Sequence, residues 1–167
     1  HDVKEMEKAG VFLVTQEPMI IDHMSVAENL LLGIWPRKGW LIDWKRLRRD
    51  AARMLQDTDI DPGQRAGTLD AVARRKLNIL RAMFSGGRVV ILDEPTASLD
   101  VEARQQLFAF MRRLKADDGM SMIFITHDLG VVAQIADDVA IMYMGKIVEK
   151  GPVGEIFKNP QHPYTVR

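Results

Sequence analysis

Short apolar runs alternate with helical patterns along the 167-residue chain, and this alternation constrains its fold more than any other feature. Strands are expected near residues 11–15, 89–92, 122–125, 139–142 and 146–149, and helices near residues 25–32, 43–55, 71–84, 101–115 and 129–136. Strands that alternate with helices favour a parallel sheet with right-handed crossovers. The continuously apolar run at residues 89–92 predicts a strand buried on both faces. We therefore expect an α/β protein.

Four segments are expected from the same pattern. Residues 1–24 end an N-terminal core segment, and residues 25–86 form a helical insertion in which residues 25–84 lack strands. Residues 87–150 form the α/β core, and residues 151–167 form a C-terminal helix and tail. Ser25 and Glu28 have capping-box spacing, Asp70 is the expected N-cap of the helix at 71–84, and Gly86 is its expected stop.

Composition and charge exclude several classes of protein. The chain has 23 Lys and Arg and 23 Asp and Glu, and a balanced charge argues against a dedicated nucleic-acid binder. No apolar run reaches the 18 residues of a membrane-spanning helix, and the absence of cysteine excludes disulfides and thiolate metal sites. The first residue is His1 instead of Met, so we expect the chain to be part of a longer protein.

Two carboxylates, Asp93 and Glu94, directly follow the apolar run at residues 89–92. Open α/β sheets bind ligands at the carboxyl ends of their strands. One carboxylate there can hold Mg²⁺, and its neighbour can polarise a water for attack on a phosphate. The alternative is a plain strand-to-turn junction with solvated acids. The next strand ends just before His127, whose N–H can donate to a phosphate oxygen. Two carboxylates after one strand and a histidine after the next favour phosphate chemistry.

These residues resemble the motifs of the nucleotide-binding subunit of ATP-binding cassette (ABC) transporters. ILDEPTASLD at residues 91–100 is similar to the Walker B motif and D-loop, and ITHD at 125–128 to the switch histidine. TQEP at 15–18 resembles the Q-loop, and the motifs occur in family order within residues 11–165. The resemblance implies a P-loop NTPase-type parallel sheet, present in part, with an α-helical insertion subdomain.

The resemblance also implies a role for each matching residue. Gln16 would contact Mg²⁺ and water, and Asp93 would hold Mg²⁺. Glu94 would be the general base for hydrolysis of ATP, and His127 would contact the γ-phosphate. Asp100 would make the D-loop contact with a second cassette.

At the level of function, the resemblance implies the ATP-hydrolysing subunit of an importer. Its partners would be transmembrane permease subunits and a second ATPase cassette, head to tail, at the cytoplasmic face of the cell membrane. Residues 33–43 and 60–62 are similar to sugar importers, whereas residues 127–133, 142–146 and 159–164 are similar to dipeptide and oligopeptide importers. The alternatives are a non-hydrolysing partner cassette and a soluble ABC-type ATPase of translation or repair.

Two departures from the family pattern matter for these expectations. No G-x-x-x-x-G-K-[ST] loop occurs in the sequence, so we expect a fragment without Walker A that is inactive alone. Asp70 stands where the family's signature has the serine that faces the γ-phosphate on the opposite cassette. We expect the Asp70 carboxylate to cap the donors of that helix itself, which weakens the site and calls for an asymmetric partner.

The region between these motifs contains aromatic and basic residues with two interpretations each. Trp35, Trp40 and Trp44 either face a transmembrane partner or pack within the helical insertion. Arg46, Arg48 and Arg49 form either a solvated helix face or a contact with anionic lipid.

Overall fold

The computed structural model describes residues 3–166 and divides between Ile125 and Thr126 into two compact units. The first unit contains α1 (Val3–Lys8), β1 (Val11–Val14), α2 (Val26–Leu30), β2 (Arg37–Lys38), β3 (Leu41–Ile42), α3 (Trp44–Met54), α4 (Ala71–Phe84), β4 (Val89–Asp93), α5 (Val101–Asp118) and β5 (Ser121–Ile125). The second contains α6 (Leu129–Ile135), β6 (Asp138–Tyr143), β7 (Lys146–Pro152) and α7 (Val153–Lys158). Within residues 3–166, no helix has the length and apolar character needed to cross a membrane.

The sheet of the first unit has three strands in the order β1-β4-β5, and both pairings are parallel. This confirms the predicted parallel α/β arrangement. Helix α4 packs against β1 and β4. The strand residues beneath it include Val90 and Leu92, which are completely buried.

The second face of this sheet is more open than the sequence predicted. Leu13 is 57% exposed, and Ile123 and Ile125 are each 50% exposed. The chain crosses from β1 to β4 to β5 in one direction, and crossovers of one hand then place their helices on the same face. In the central strand β4, Val90 and Leu92 are buried but Val89 and Ile91 are only half-buried, so the expectation of burial on both faces was wrong for these alternate residues.

Two antiparallel hairpins also differ from the expectations. Strands β2 and β3 pair within residues 25–84, a region predicted to lack strands. Strands β6 and β7, expected within a parallel arrangement, form a two-stranded antiparallel sheet. Met144 and Gly145, both with positive φ, are the only residues between them. Two residues suffice for a hairpin but not for a parallel crossover.

The helical part of the first unit has its own apolar core, in which α2 packs against α3 and α4. Leu30, Leu47 and Leu77 are each at most 1% exposed. The buried amide of Asn29 accepts from the Ile21 N–H at 2.8 Å and donates to the Ile21 carbonyl at 3.0 Å. This pair of hydrogen bonds fastens the segment that precedes α2 to the helix.

The N-terminus of α2 carries the predicted capping box. Ser25 Oγ accepts from the Glu28 N–H at 3.2 Å, and Glu28 Oε2 accepts from the Ser25 N–H at 2.8 Å. Ser25 Oγ also donates to Glu28 Oε2 at 2.6 Å. These hydrogen bonds lower the pKa of Glu28 below its ordinary value of 4.5. The bond from the Ser25 hydroxyl has the largest effect, and the bond from the Ser25 backbone N–H has the second largest.

Replacing Glu28 with glutamine should destabilise the protein in a pH-dependent way. A carboxyl group whose pKa is lower in the folded state stabilises the protein at pH values above its unfolded-state pKa. This stabilisation is lost as the pH falls through the folded-state pKa. We expect Glu28→Gln to lower the free energy of unfolding by roughly 0.5–1 kcal/mol at pH 7. The difference should shrink below pH 4.5. Urea titrations at several pH values test this, with the exposed Glu102→Gln as the control; a pH-independent difference would contradict it.

The C-terminus of α4 ends in two glycines with different requirements. The Gly86 N–H donates to the Met83 carbonyl, and the Gly87 N–H donates to the Ala82 carbonyl, each at 3.1 Å. Gly86 has φ of +97°. This is the Schellman pattern, and it confirms Gly86 as the predicted helix stop. A Cβ on Gly87 would lie 2.6 Å from the Ala82 carbonyl oxygen, so the chain also needs glycine at this close approach.

Alanine at either glycine should therefore lower stability. Gly86→Ala places a Cβ in the left-handed region at a cost of about 1 kcal/mol. Gly87→Ala should cost more, because backbone atoms must move. A Cβ on the helical Gly154 would meet no atom within 4 Å, so Gly154→Ala is the matched control and should be neutral or stabilising. Thermal melts would contradict the argument if all three variants matched the parent.

Candidate functional site

The turn that follows β4 is anchored to the neighbouring strand through Glu94. Its N–H donates to the Ile125 carbonyl at 2.9 Å, and its carbonyl accepts from the Ala97 N–H at 3.0 Å. Asp93, the last residue of β4, pairs in register with Ile125. Both carboxylate residues are half-buried. The backbone around them is thus held by the sheet edge.

Strained backbone is concentrated in this turn. Three non-glycine residues in the described part of the chain have positive φ, and two of them are Glu94 at +43° and Ser98 at +61°. Such conformations cost of order 1 kcal/mol each and persist where the surroundings fix them, most often at functional sites. The strain therefore marks the Glu94 turn as a candidate site independently of its sequence motif.

Gln16 lies at the same edge of the sheet as Asp93. It follows β1 by two residues, and Val14 at the end of β1 pairs in register with Leu92. The side chain of Gln16 is exposed. Parallel pairing thus brings the predicted Q-loop and the predicted Walker B carboxylates to one edge.

Arg75 of α4 joins these two loops. Its Nη1 donates to the Gln16 carbonyl at 3.1 Å, and its Nη2 donates to the Ala97 carbonyl at 2.8 Å. Burial lowers the pKa of Arg75, but an arginine remains charged in proteins. One guanidinium group therefore hydrogen-bonds to the loop that follows β1 and to the loop that follows β4.

This role of Arg75 was not predicted from the sequence. Arg81 binds in the same way, because its Nη1 donates to the Met19 carbonyl at 2.9 Å. A signal was available in the sequence: Arg75 has helical spacing to the buried Val72, Ile79 and Ala82. A charged residue within an apolar helix face must find polar partners, and here they are loop carbonyls.

Asp70 occupies the N-cap of α4, as predicted. Its Oδ1 accepts from the Ala73 N–H at 2.7 Å. Arg74, four residues along, forms an ion pair with Asp22 at 3.0 Å and donates to the Leu69 carbonyl at 3.1 Å. The Asp70 carboxylate therefore uses a helix N-terminal donor that an external anion could otherwise bind.

Asp100 and His127 are both exposed, and they lie in different units. Asp100 caps α5, accepting from the Ala103 N–H at 2.8 Å. His127 follows β5 by two residues, beside Asp128, which caps α6 through the Gly130 and Val131 N–H groups. The dimer contact of Asp100 and the γ-phosphate contact of His127 stay predictions.

The described residues supply only part of a site for MgATP. Between Val3 and Val166, no three His, Cys, Asp or Glu side chains form a group that could hold a metal ion. A small cavity next to Asp93, lined also by Thr15, Arg75 and Asn78, measures about 10 Å³, room for one water. Asp93 and Gln16 fit as two oxygen donors for Mg²⁺, but further ligands must come from water or phosphate.

Comparisons with solved structures agree with this fold. A nucleotide-free ATP-binding cassette from an ABC transporter matches with a TM-score of 0.78 and 23% identity, covering 100% of this chain and 71% of that chain. An ADP conformation of an ATP-binding cassette matches with a TM-score of 0.79 and 23% identity, covering 99% of this chain and 70% of that chain.

Sequence comparisons connect the chain to import proteins. A ribose import ATP-binding protein of Mesorhizobium japonicum is 36% identical over 89% of this chain and 30% of its own length. A protein of Brucella ovis, named for peptide import and ATP binding, is 46% identical over 62% of this chain and 31% of its own length. The chain thus spans about a third of these relatives. Residues 1–97 match the family model described as ABC transporter, and the chain belongs to that family.

Proposed function

We propose that this chain is part of the ATP-hydrolysing subunit of an ABC importer, with Glu94 as the general base. The observation that carries the proposal is the left-handed Glu94 turn, fixed by its hydrogen bond to Ile125 at the carboxyl edge of the sheet. A half-buried carboxylate at a strand end is suited to accept a proton from an attacking water. The ribose and peptide import relatives support the importer assignment.

Each remaining site residue has a proposed task. Bound MgATP supplies the phosphoryl group that water attacks. Asp93 and Gln16 offer oxygen atoms to the metal, directly or through water, and His127 donates a hydrogen bond to the γ-phosphate. Arg75 keeps the Gln16 and Ala97 segments at a set distance, so that the two loops move with α4. The phosphate-binding loop is not among these 167 residues, so turnover needs a chain that contains one.

The proposed cargo is a sugar or a peptide, because relatives of both kinds match this chain. The proposed partners are transmembrane permease subunits and a second cassette arranged head to tail. The proposed location is the cytoplasmic face of the cell membrane, where such a subunit meets a permease.

Glu94→Gln should abolish most ATP hydrolysis while keeping nucleotide binding. The change preserves size and hydrogen bonding but removes the base, which typically contributes about 10²–10⁴-fold to the rate. The measurement is steady-state ATPase activity and nucleotide affinity in a protein that carries a phosphate-binding loop ahead of this chain. The exposed Glu155→Gln is the matched control and should leave both unchanged. Equal turnover in the parent and in Glu94→Gln would refute the assignment of the base.

A second candidate function is a nucleotide-binding cassette whose signature region does not support hydrolysis. The Asp70–Ala73 hydrogen bond favours it, because the donor is already used within the chain. An Asp70 carboxylate about 4 Å from a phosphate would also repel it by roughly 4 kcal/mol at an effective dielectric of 20. A working transporter would then pair this cassette asymmetrically with one whose signature is intact.

Asp70→Ser tests this second function, because serine retains an N-cap but removes the charge. We expect faster ATP hydrolysis in the assembled cassette pair and unchanged stability within about 0.5 kcal/mol. Asp43→Ser is the matched control, since Asp43 caps α3 through the Arg46 N–H at 2.9 Å. Unchanged hydrolysis in Asp70→Ser, or an equal gain in Asp43→Ser, would contradict the inhibitory role of Asp70.

A further inference from the structure

The hairpin of β2 and β3 presents an aromatic side chain at its tip. Gly39 and Trp40 form the two-residue turn of the hairpin. Gly39 has a φ of +64°, and a positive φ at the first turn position is typical of such hairpins and favours glycine there. Trp40 is 89% exposed, and the adjacent Leu41 is 62% exposed. Burying a tryptophan is strongly favourable, and the neighbouring Trp40 and Leu41 together form an exposed apolar tip that an apolar surface can receive.

The other two tryptophans of the region are used within the fold. Trp35 Nε1 donates to the Glu28 carbonyl at 3.0 Å, which anchors the start of the hairpin segment to α2. The rings of Trp35 and Trp44 lie 6.1 Å apart in a tilted arrangement. Trp35 is therefore held within the helical region, Trp44 packs on it while remaining 44% exposed, and Trp40, at 89%, is the most exposed of the three.

Basic residues are concentrated around the tip. Residues 34–50 contain six of the 23 basic residues of the chain but only two of its 23 acidic residues, whereas the whole chain is neutral. The six are Arg37, Lys38, Lys45, Arg46, Arg48 and Arg49, and all are exposed. Arg46 and Arg49 share Asp50 at 3.4 and 3.6 Å. The segment keeps a net positive charge of four.

We propose that this hairpin contacts an anionic lipid surface, with Trp40 and Leu41 in the interfacial layer and the basic residues on lipid headgroups. Tryptophan favours the membrane–water interface, and each lysine or arginine near an anionic leaflet adds about fivefold to binding. A nucleic acid would match the charge but would leave the aliphatic Leu41 without a favourable partner. A convex tip fits a fluid interface, whereas binding a partner helix needs a groove.

The test measures binding of the 167-residue protein to vesicles by co-flotation. We expect binding to vesicles of phosphatidylcholine with 30% phosphatidylglycerol by mole and little to pure phosphatidylcholine, with weaker binding at higher salt. Arg37→Glu with Lys38→Glu should weaken binding at least tenfold. Trp40→Ser should weaken it similarly and remove most quenching of tryptophan fluorescence by brominated lipid.

Matched controls come from the hairpin of β6 and β7. Met144 is 84% exposed at its tip, and the hairpin carries balanced charge. Met144→Ser, and Lys146→Glu with Lys150→Glu, should bind vesicles as the parent does. Circular dichroism confirms that each variant is folded. These readouts do not depend on ATP hydrolysis, so they are independent of the proposed function.

Three outcomes would overturn the proposal. The first is equal binding to neutral and anionic vesicles, and the second is binding that Trp40→Ser leaves intact. In the third, the hairpin variants lose binding only when permease subunits are present in the vesicles, which would assign this surface to a protein partner.

Discussion

Parallel pairing of β4 with both β1 and β5 determines where the candidate site residues of this chain lie. Val14 pairs with Leu92, and Asp93 pairs with Ile125, so three segments leave the sheet at one edge. The chain must turn sharply there to reach α5, and it does so through the left-handed Glu94, whose N–H is held by Ile125. The candidate site therefore follows from strand register, and its loops are fixed by the core beneath them.

Features with local signals were predictable from the sequence, because their causes lie within a few residues. The capping box of Ser25, the N-cap at Asp70 and the stop at Gly86 each depend on a short-range hydrogen bond or a single dihedral angle. The hairpin of β2 and β3 was missed because two-residue strands show no periodicity. The exposure of Ile123 and its neighbours depends on the direction of the crossovers, which apolarity alone does not indicate.

The candidate site also contains some features that were predictable from the sequence and others that were not. From the sequence, strand ends indicated that Asp93, Glu94 and His127 share one sheet edge, since ligands bind at the carboxyl ends of strands. Gln16 was indicated only by the family resemblance. The bonds of Arg75 and Arg81 join residues 59 and 62 positions apart, and no local pattern predicts which carbonyl a buried arginine will meet. The sequence could indicate only that these arginines need polar partners, because a charge within an apolar helix face must be hydrogen-bonded.

Helix α4 carries several of the residues that shape the candidate site. Its N-terminus is closed by Asp70, its next turn holds the Gln16 and Ala97 segments through Arg75, and its C-terminus leads into β4 through Gly87. The Asp70 carboxylate stabilises the helix by accepting from the Ala73 N–H, one of the donors that a helix N-terminus leaves without an intrahelical partner. Arg75 lies five residues beyond Asp70, in the second turn of the same helix. One helix therefore carries both the Asp70 cap and the arginine that fastens the loops after β1 and β4.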